Sequence, residues 1–320
     1  MTGGGTGAEL TAALEAAIGD GPVTGLRRLS GGASRETWSF AAGERPLILQ
    51  RERPRGVRRA GMAAEAALLR AALAEGVPVP AVVVTDAEAA GGALGDSWMV
   101  VEHVPGETIA RKILRDDEFA SALPLLAGQC GAALARIHRI PPESIPGLAG
   151  GDQVAQLRVA LDTVGEPHPA FELGFRWLDR FRPAPSRPEP TVVHGDFRLG
   201  NLIVGPDGLR AVIDWELAHT GDPLEDLGWL CVRAWRFGED PHVGGFGRVD
   251  DLVTAYQDET GTVVDRDALA WWEVLGTLKW GIICAMQAHT HLTGMVRSVE
   301  LAAIGRRVCE VESDLLRLLP

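Results

Sequence analysis

Lysine is nearly absent from this chain. Lys112 and Lys279 are the only lysines among 320 residues, and arginine supplies the other basic side chains. Acidic residues outnumber lysine and arginine together by 43 to 31, which gives a formal net charge of −12. Because nucleic-acid binding needs clustered lysine and arginine against the phosphates, this balance argues against a nucleic-acid partner. Roles that lysine fills in other proteins must fall here mostly to arginine.

Cysteine and long apolar runs are also scarce. Cys130, Cys231, Cys284 and Cys309 form neither a C-x-x-C pair nor a Cys/His cluster at zinc spacing. No apolar stretch approaches the ~20 residues that span a membrane, and the N-terminus lacks the basic start and apolar core of a signal peptide. We therefore expect a cytoplasmic protein with no membrane partner. These patterns leave the oligomeric state unknown.

The pattern of secondary structure changes once along the chain. The length predicts about two domains or lobes, at roughly 100–200 residues each. Short β-rich segments and turns fill much of the first hundred residues, with helices predicted over residues 9–18 and 61–74. After Pro105-Gly106, long apolar-periodic helices dominate, of which residues 124–140 are an example. We expect an α+β fold with an N-terminal lobe over residues 1–104 and a C-terminal lobe over residues 105–320.

The most informative segment runs from His194 to Asn201 and reads H-G-D-F-R-L-G-N. Asp196 follows a predicted strand and precedes a loop, so we expect its carboxylate at a strand end. A predicted hairpin around residues 205–208 would return Asp214 to the side of Asn201. Both residues carry oxygen ligands of the kind that Mg²⁺ binds. A general base beside two metal-binding side chains is the minimum for phosphoryl transfer to a hydroxyl group.

This segment also carries a family resemblance. Its spacing is that of the protein-kinase catalytic loop, H-R-D-x-x-x-x-N. With Gly195, Ile213-Asp214-Trp215 and Gly221-Asp222-Pro223, it resembles the aminoglycoside phosphotransferase and choline kinase superfamily. It is especially similar to the branch found fused to acyl-CoA dehydrogenases. The resemblance implies a bilobal protein-kinase-like fold, with a small antiparallel-sheet N-lobe and a larger, mainly helical C-lobe.

The resemblance implies roles for individual residues. Asp196 would position or deprotonate a hydroxyl group of a small-molecule acceptor. Asn201 and Asp214 would hold Mg²⁺ on the phosphates of ATP or GTP. Arg198 matches the lysine that protein kinases place against the γ-phosphate. His194 would brace the loop near Asp214, and a purely structural role for it stays open.

Two segments of the first lobe are predicted to bind the nucleotide. Ser30-Gly31-Gly32-Ala33-Ser34 lies between predicted strands, and such a loop lets backbone N–H groups approach phosphates. The resemblance assigns the phosphate contacts to Gly31, Gly32 and Ser34. It also makes Met99–Gly106 the hinge, where the Glu102 carbonyl and the Val104 amide would hydrogen-bond the base. An ordinary hairpin and an ordinary strand end are the alternatives.

The third predicted strand lacks a residue that kinases use. Kinases place a lysine there and pair it with a glutamate on the following helix, but Pro46–Arg51 contains no lysine. Arg51 is our candidate replacement, with Gln50 or Arg53 as alternatives, and Glu65 is the predicted partner. Arginine is always charged and can grip phosphate through two hydrogen bonds.

The acceptor pocket carries the weakest signal. Six of the nine tryptophans follow residue 214, and they could line an acceptor cleft or belong to the core. The tryptophans are Trp215, Trp229, Trp235, Trp271, Trp272 and Trp280. Candidate acceptor contacts are Arg233, Arg236, Glu273, His289 and His291.

Two rival functions compete with small-molecule phosphorylation. A nucleotide-binding pseudokinase or regulatory module is supported by the missing lysine and opposed by the intact Asp196, Asn201 and Asp214. A protein kinase is disfavoured because nothing like the A-P-E segment follows Asp214. Gly221-Asp222-Pro223 comes almost at once and leaves little room for an activation loop. Nucleotide binding without transfer to any acceptor would distinguish the first rival.

Overall fold

A five-stranded antiparallel sheet forms the N-terminal lobe, with strand order β1-β2-β3-β5-β4. Its elements are α1 (Gly7–Ile18), β1 (Val23–Arg28), β2 (Arg35–Ala42), β3 (Arg45–Glu52), α2 (Met62–Ala74), β4 (Val82–Thr85) and β5 (Trp98–Glu102). The computed structural model describes residues 7–29, 35–52, 62–90 and 92–319. Gly31, Gly32 and Ser34, which the sequence predicts to contact phosphate, lie outside the described residues, as does Arg53.

The two faces of this sheet pack against different helices. Leu49 of β3 pairs with Val100 of β5, and both are buried in a cluster with Leu10 of α1. Met99 of β5 belongs instead to the cluster that contains Leu68 of α2. Successive side chains of a strand point to opposite faces of its sheet. Neighbouring residues on β3 and β5 therefore face different parts of the molecule, which matters for the site below.

The C-terminal lobe is mainly helical and contains two short hydrogen-bonded strand pairs. Its helices are α3 (Ala110–Arg115), α4 (Leu123–Ile137), α5 (Gln153–Val164), α6 (Pro169–Arg180), α7 (Leu224–Cys231), α8 (Val249–Thr260), α9 (Arg266–Leu292), α10 (Val299–Gly305) and α11 (Val308–Leu318). Its strands are β6 (Thr191–Val193), β7 (Leu202–Gly205), β8 (Gly208–Val212) and β9 (His219–Gly221). β6 pairs with β9, and β7 pairs with β8, both antiparallel.

The long helix α9 lies at the centre of this lobe. It packs against α5, α6, α7, α10 and α11, and Leu275, Leu278 and Ile282 are buried with Phe171 and Phe175 of α6. Within the described part of the chain, no helix combines the length and the apolar character needed to cross a membrane.

The sequence predicted much of this architecture. The helix expected over residues 61–74 is α2, and the helix expected over residues 124–140 is α4, which ends earlier at Ile137. The hairpin expected around residues 205–208 joins β7 to β8. The α+β fold class, with a small antiparallel sheet followed by a larger helical lobe, is confirmed.

Helices α4 and α8 cross with their backbones in close contact. A Cβ atom added to Gly131 of α4 would lie 2.3 Å from the Leu252 carbonyl oxygen and 3.1 Å from the Tyr256 nitrogen, both on α8. This crossing brings the Tyr256 hydroxyl within 3.0 Å of Nδ1 of His138, the residue that caps α4. The contact between the two helices therefore depends on the missing side chain of Gly131.

Gly131→Ala is expected to lower the free energy of unfolding by about 1–3 kcal/mol, because the methyl group must push α8 away from α4. Urea unfolding followed by circular dichroism would measure the change. Gly128→Ala is the matched control on the same helix, since its added Cβ would lie 3.9 Å from Ala255 Cβ. That variant should keep or slightly raise the stability, because alanine favours helix. Equal destabilisation by both substitutions would contradict the close-contact explanation.

Candidate active site

The loop His194–Asn201 leaves the end of β6, and its shape requires glycine at its second position. Gly195 has φ 79°, a conformation that L-residues with side chains rarely adopt. A Cβ atom there would also lie 2.6 Å from the Leu217 carbonyl oxygen. These two constraints explain why the sequence reads H-G-D where protein kinases read H-R-D.

The carboxylate of Asp226 on α7 anchors this loop. It is fully buried and accepts hydrogen bonds from the backbone N–H groups of His194 (2.8 Å) and Gly195 (2.9 Å). His138 Nε2 lies 3.2 Å from the same carboxylate. Burial by itself would raise the pKa of Asp226. The hydrogen bond and charge of His138, together with the backbone N–H of His194, outweigh burial and hold the pKa of Asp226 below its usual value. The sequence motif by itself gives Asp226 no role.

Asp196 is held by three side-chain donors. Its Oδ1 accepts from Trp229 Nε1 at 2.9 Å and from Arg198 Nε at 3.0 Å. Its Oδ2 accepts from Asn201 Nδ2 at 2.6 Å. These contacts hold the carboxylate in one orientation at the strand end that the sequence predicts. The sequence pattern named Trp229 only as one of six tryptophans, because nothing local indicates that its indole reaches Asp196.

His194 connects the loop to the segment that follows β8. Its ring is fully buried and lies 4.7 Å from the ring of Trp215, centroid to centroid. Burial lowers the pKa of His194, which favours the neutral ring. The backbone N–H of Asp196 donates to Nδ1 at 3.3 Å, and Nε2 lies 3.2 Å from the Ile213 carbonyl oxygen, to which it donates. These are the contacts of a brace between Asp196 and the residue before Asp214.

The β7–β8 hairpin brings Asp214 back to Asn201. The backbone N–H of Ile213 donates to the Asn201 carbonyl oxygen at 2.9 Å. Asp214 then takes φ 66°, an unusual conformation for a residue other than glycine and one that is enriched at functional sites. Its side chain is 40% exposed. Partial burial raises the pKa of Asp214 to about 6. The nearby carboxylates of Glu216 and Glu65 contribute to this rise, and Arg35 opposes it.

The cation that pairs with Glu65 is Arg35. Arg35 begins β2 and is 6% exposed, and its Nη1 lies 2.8 Å from Glu65 Oε1 on α2. Its Nη2 lies 3.1 Å from Asp214 Oδ1 and 3.4 Å from Glu216 Oε2. Arg35 therefore joins the sheet, α2 and the segment after β8, and the sequence pattern did not single it out.

The expected pairing of Arg51 with Glu65 is wrong. Arg51 donates from Nε to Glu36 Oε2 at 2.8 Å and from Nη1 to the Ala93 carbonyl oxygen at 3.2 Å. Its neighbour Gln50 accepts from Arg35 Nη1 at 3.1 Å. Since adjacent strand residues face opposite sides of the sheet, Gln50 faces Glu65 and Arg51 faces away.

The predicted hinge lies where the chain leaves the sheet. β5 ends at Glu102, and Val104 follows in irregular backbone. Beyond them, the backbone groups of Glu107 and Val204 exchange hydrogen bonds of 2.9 and 3.0 Å. The hinge segment is thus tied to β7, in the hairpin that leads to Asp214. The contacts of Glu102 and Val104 with a base stay predictions.

The residues around Asp214 fit a magnesium ion that is shared with phosphates. No group of three or more His, Cys, Asp or Glu side chains in the described ranges could hold a metal. Mg²⁺ usually takes one or two carboxylates and completes its shell with phosphates and water. The Nδ2 donors of Asn201 are turned toward Asp196, which directs its Oδ1 elsewhere. The buried Oε2 of Glu65 has no hydrogen-bond partner in the described part of the chain.

An aromatic wall borders Asp196 on the side of α9. The rings of Trp229 and Trp235 lie 5.0 Å apart, and those of Trp235 and Trp280 lie 4.7 Å apart. The Arg198 guanidinium lies 4.6 Å above the Trp235 ring. Lys279 donates to the Gly195 carbonyl oxygen at 3.1 Å. Among the acceptor candidates, Arg236 and Glu273 pair with each other at 3.1 Å, a contact within the protein.

Beyond this wall lies a basic groove of about 630 Å³. Trp280 of the wall borders the groove, because the guanidinium of Arg307, which lines the groove, lies 5.8 Å from the centre of the Trp280 ring. The charged side chains that line the groove are Arg111, Arg233, Arg307, Glu310, Asp314 and Arg317. Four guanidinium groups against two carboxylates leave the groove with a surplus of positive charge, although the chain as a whole is acidic.

Two solved structures share this fold over nearly their whole length. A candidate aminoglycoside phosphotransferase from Ralstonia eutropha superposes with a TM-score of 0.76 at 20% identity, covering 96% of this chain and 97% of that one. Spectinomycin phosphotransferase, solved with ADP and spectinomycin, superposes with a TM-score of 0.68 at 12% identity, covering 97% and 98%. At these identities the likeness shows the fold alone, and it confirms the kinase-like bilobal architecture.

Sequence comparison agrees with the resemblance seen in the motif. Acyl-CoA dehydrogenase family member 10 of Mus musculus is 28% identical over 243 residues, which cover 71% of this chain and 22% of that protein. The chain thus spans less than a quarter of that relative's length. The family model described as the phosphotransferase enzyme family matches residues 25–272, which is more than half of the chain. The chain therefore belongs to the phosphotransferase enzyme family.

Proposed function

We propose that this protein transfers the γ-phosphate of ATP or GTP to a hydroxyl group of a small molecule. Residues 1–104 would bind the nucleotide, and residues 105–320 would supply the catalytic groups. The observation that carries the proposal is the arrangement of Asp196, Asn201 and Asp214 on one buried framework, in which each is positioned by hydrogen bonds or by the backbone. General base and metal ligands must stand together in this way for phosphoryl transfer.

The reaction would be a direct in-line displacement. The acceptor hydroxyl oxygen attacks the γ-phosphorus, its proton passes to the Asp196 carboxylate, and the bond from the γ-phosphorus to the β-phosphate oxygen breaks to release ADP or GDP. Asp214 and the Asn201 side-chain oxygen would hold Mg²⁺, which neutralises charge on the phosphates. Arg198, already bound to Asp196 at 3.0 Å, would neutralise charge on the transferred group.

The basic groove favours an anionic acceptor. One of its arginines, Arg307, is linked to Arg198 through the neighbouring rings of Trp280 and Trp235. A polycationic aminoglycoside would be repelled by these side chains, whereas a hydroxylated acyl compound with phosphate or carboxylate groups would be attracted. This argument concerns only the acceptor, and the transfer chemistry does not depend on it.

Calorimetry with ATP and GTP, each with and without Mg²⁺, tests the first half of the proposal. A transfer screen over hydroxylated acyl-CoAs, amino alcohols and aminoglycosides tests the second. We expect Mg²⁺-dependent nucleotide binding and phosphorylation of an anionic hydroxylated compound in preference to aminoglycosides. Binding with no acceptor phosphorylated would favour a nucleotide-binding regulatory module, and failure to bind either nucleotide would overturn the proposal.

Asp196→Asn is expected to reduce kcat by ~10²–10⁴-fold, the usual contribution of a general base. Nucleotide affinity should stay within about twofold, because Asp196 acts on the acceptor. Steady-state kinetics and calorimetry would measure the two quantities. Asp207→Asn, in the exposed turn between β7 and β8, is the matched control and should leave both unchanged. Turnover by Asp196→Asn at the wild-type rate would eliminate Asp196 as the base.

Asp214→Asn is expected to weaken binding of the Mg²⁺-nucleotide by at least about tenfold. Loss of an outer-sphere partner of a metal already costs about 10–100-fold in affinity, and Asp214 is proposed as a direct ligand. The same titration in EDTA provides the control, since metal-free nucleotide should bind the variant and the wild type alike. If Mg²⁺ strengthens nucleotide binding equally in both proteins, Asp214 is not a metal ligand.

A further inference from the structure

The absence of lysine from β3 leaves the phosphates of the nucleotide without their usual cation. We propose that Arg35 on β2 supplies this cation, held by Gln50 and Glu65, so that the phosphate contact has moved from the third strand to the second. This assignment rests on the proposed function, because it concerns how the same site would bind its nucleotide. Arg35 would touch the phosphates directly, and Gln50 and Glu65 would position it.

The geometry places the Arg35 guanidinium where a lysine on β3 would reach. Thr37 of β2 stands opposite Gln50 of β3, and Arg35 stands opposite Glu52. Arg35 and Gln50 are therefore diagonal neighbours on one face of the sheet, the pair of positions that long side chains can bridge. Nη1 of Arg35 contacts both Gln50 Oε1 at 3.1 Å and Glu65 Oε1 at 2.8 Å. A side-chain nitrogen at position 50 could thus occupy nearly the same place.

The second amino group of Arg35 faces the predicted metal site. Nη2 lies 3.1 Å from Asp214 and 3.4 Å from Glu216, both longer contacts than the 2.8 Å pair with Glu65. A guanidinium has five N–H donors in a rigid fork. Nη1 can keep Glu65 while Nη2 turns from the two carboxylates to a phosphate oxygen. Arg35 would then bridge Glu65 and a phosphate, the double contact that kinases make with the lysine of the third strand.

The carboxylates around Arg35 also favour a ligand that binds together with a cation, as a nucleotide binds with Mg²⁺. Glu65, Asp214 and Glu216 all pair with the Arg35 guanidinium. Mg²⁺ bound at Asp214 would balance the carboxylates from which Nη2 withdraws. Mg²⁺ would then contact Asp214 and the phosphates would contact Arg35, in place of the present contact between Arg35 and Asp214.

Arg35→Ala tests the assignment in the full-length protein. We expect the dissociation constant and the KM for the Mg²⁺-nucleotide to rise at least about tenfold, in line with loss of a charged hydrogen-bonded contact. Arg70→Ala is the matched control, because Arg70 lies in the same lobe and pairs with Glu88 on the surface. Arg51→Ala is the competing variant. Loss of affinity in Arg51→Ala with normal affinity in Arg35→Ala would overturn the proposal.

A lysine returned to β3 provides a rescue. The double variant Arg35→Ala with Gln50→Lys is expected to recover at least part of the lost nucleotide affinity, since residue 50 lies beside Glu65. A purely structural role for Arg35 would instead change the thermal unfolding midpoint without a change in KM. Because Arg35→Ala removes the buried partner of Glu65, the thermal unfolding midpoint is measured beside the KM for each variant. The two quantities together separate these outcomes.

Should Arg35→Ala fail to fold, the wild-type protein still decides the question. A crystal structure with Mg²⁺ and a non-hydrolysable ATP or GTP analogue should show the Arg35 guanidinium hydrogen-bonded to a phosphate oxygen. Phosphates held by other side chains, with Arg35 still on Asp214, would overturn this assignment and leave the proposed function standing. A wild-type protein that binds neither nucleotide would instead remove the proposed function itself, and the assignment with it.

Discussion

The site depends above all on the buried carboxylate of Asp226. It accepts the backbone N–H groups of two successive loop residues, His194 and Gly195, and lies beside His138. A buried carboxylate is costly unless donors surround it, so the loop has little freedom to move away from α7. Because Gly195 can take φ 79°, the chain turns sharply there and presents Asp196 at the end of β6. The orientation of Asp196, the proposed base, thus depends on hydrogen bonds that Asp226 makes with other residues of the loop.

The same helix positions Asp196 a second time. Trp229 lies three residues after Asp226 on α7, which puts both side chains on one face of the helix. Asp226 holds the loop backbone, and the Trp229 indole holds the Asp196 carboxylate. α7 in turn packs along α9, whose Lys279 reaches the Gly195 carbonyl oxygen. Packing within the C-terminal lobe therefore positions the loop that carries Asp196 through two adjacent helices, α7 and α9.

Arg35 shows where prediction from sequence met its limit. The pattern located β2, β3, α2 and Glu65, and it identified the missing lysine as the feature to explain. It selected Arg51 because Arg51 belongs to the third strand. The partner of Glu65, however, depends on which face each side chain occupies and on the register between strands. A shift of one residue along a strand moves the side chain to the opposite face of the sheet. A search restricted to β3 therefore misses a diagonal neighbour on β2. Gly31, Gly32 and Ser34, which the sequence also predicts to contact the nucleotide, lie outside the described residues.

The sequence by itself determined the family, the α+β class and the spacing of Asp196, Asn201 and Asp214. These properties are local, because a short loop and a hairpin carry the motif and strand or helix periodicity is written in neighbouring residues. Tertiary structure decided which groups hold the motif in place. Asp226, Trp229, His138 and Arg35 come from α7, the end of α4 and β2, far from the loop in sequence. Hydrogen bonds between distant segments form only when packing brings the segments together, so no local pattern records them.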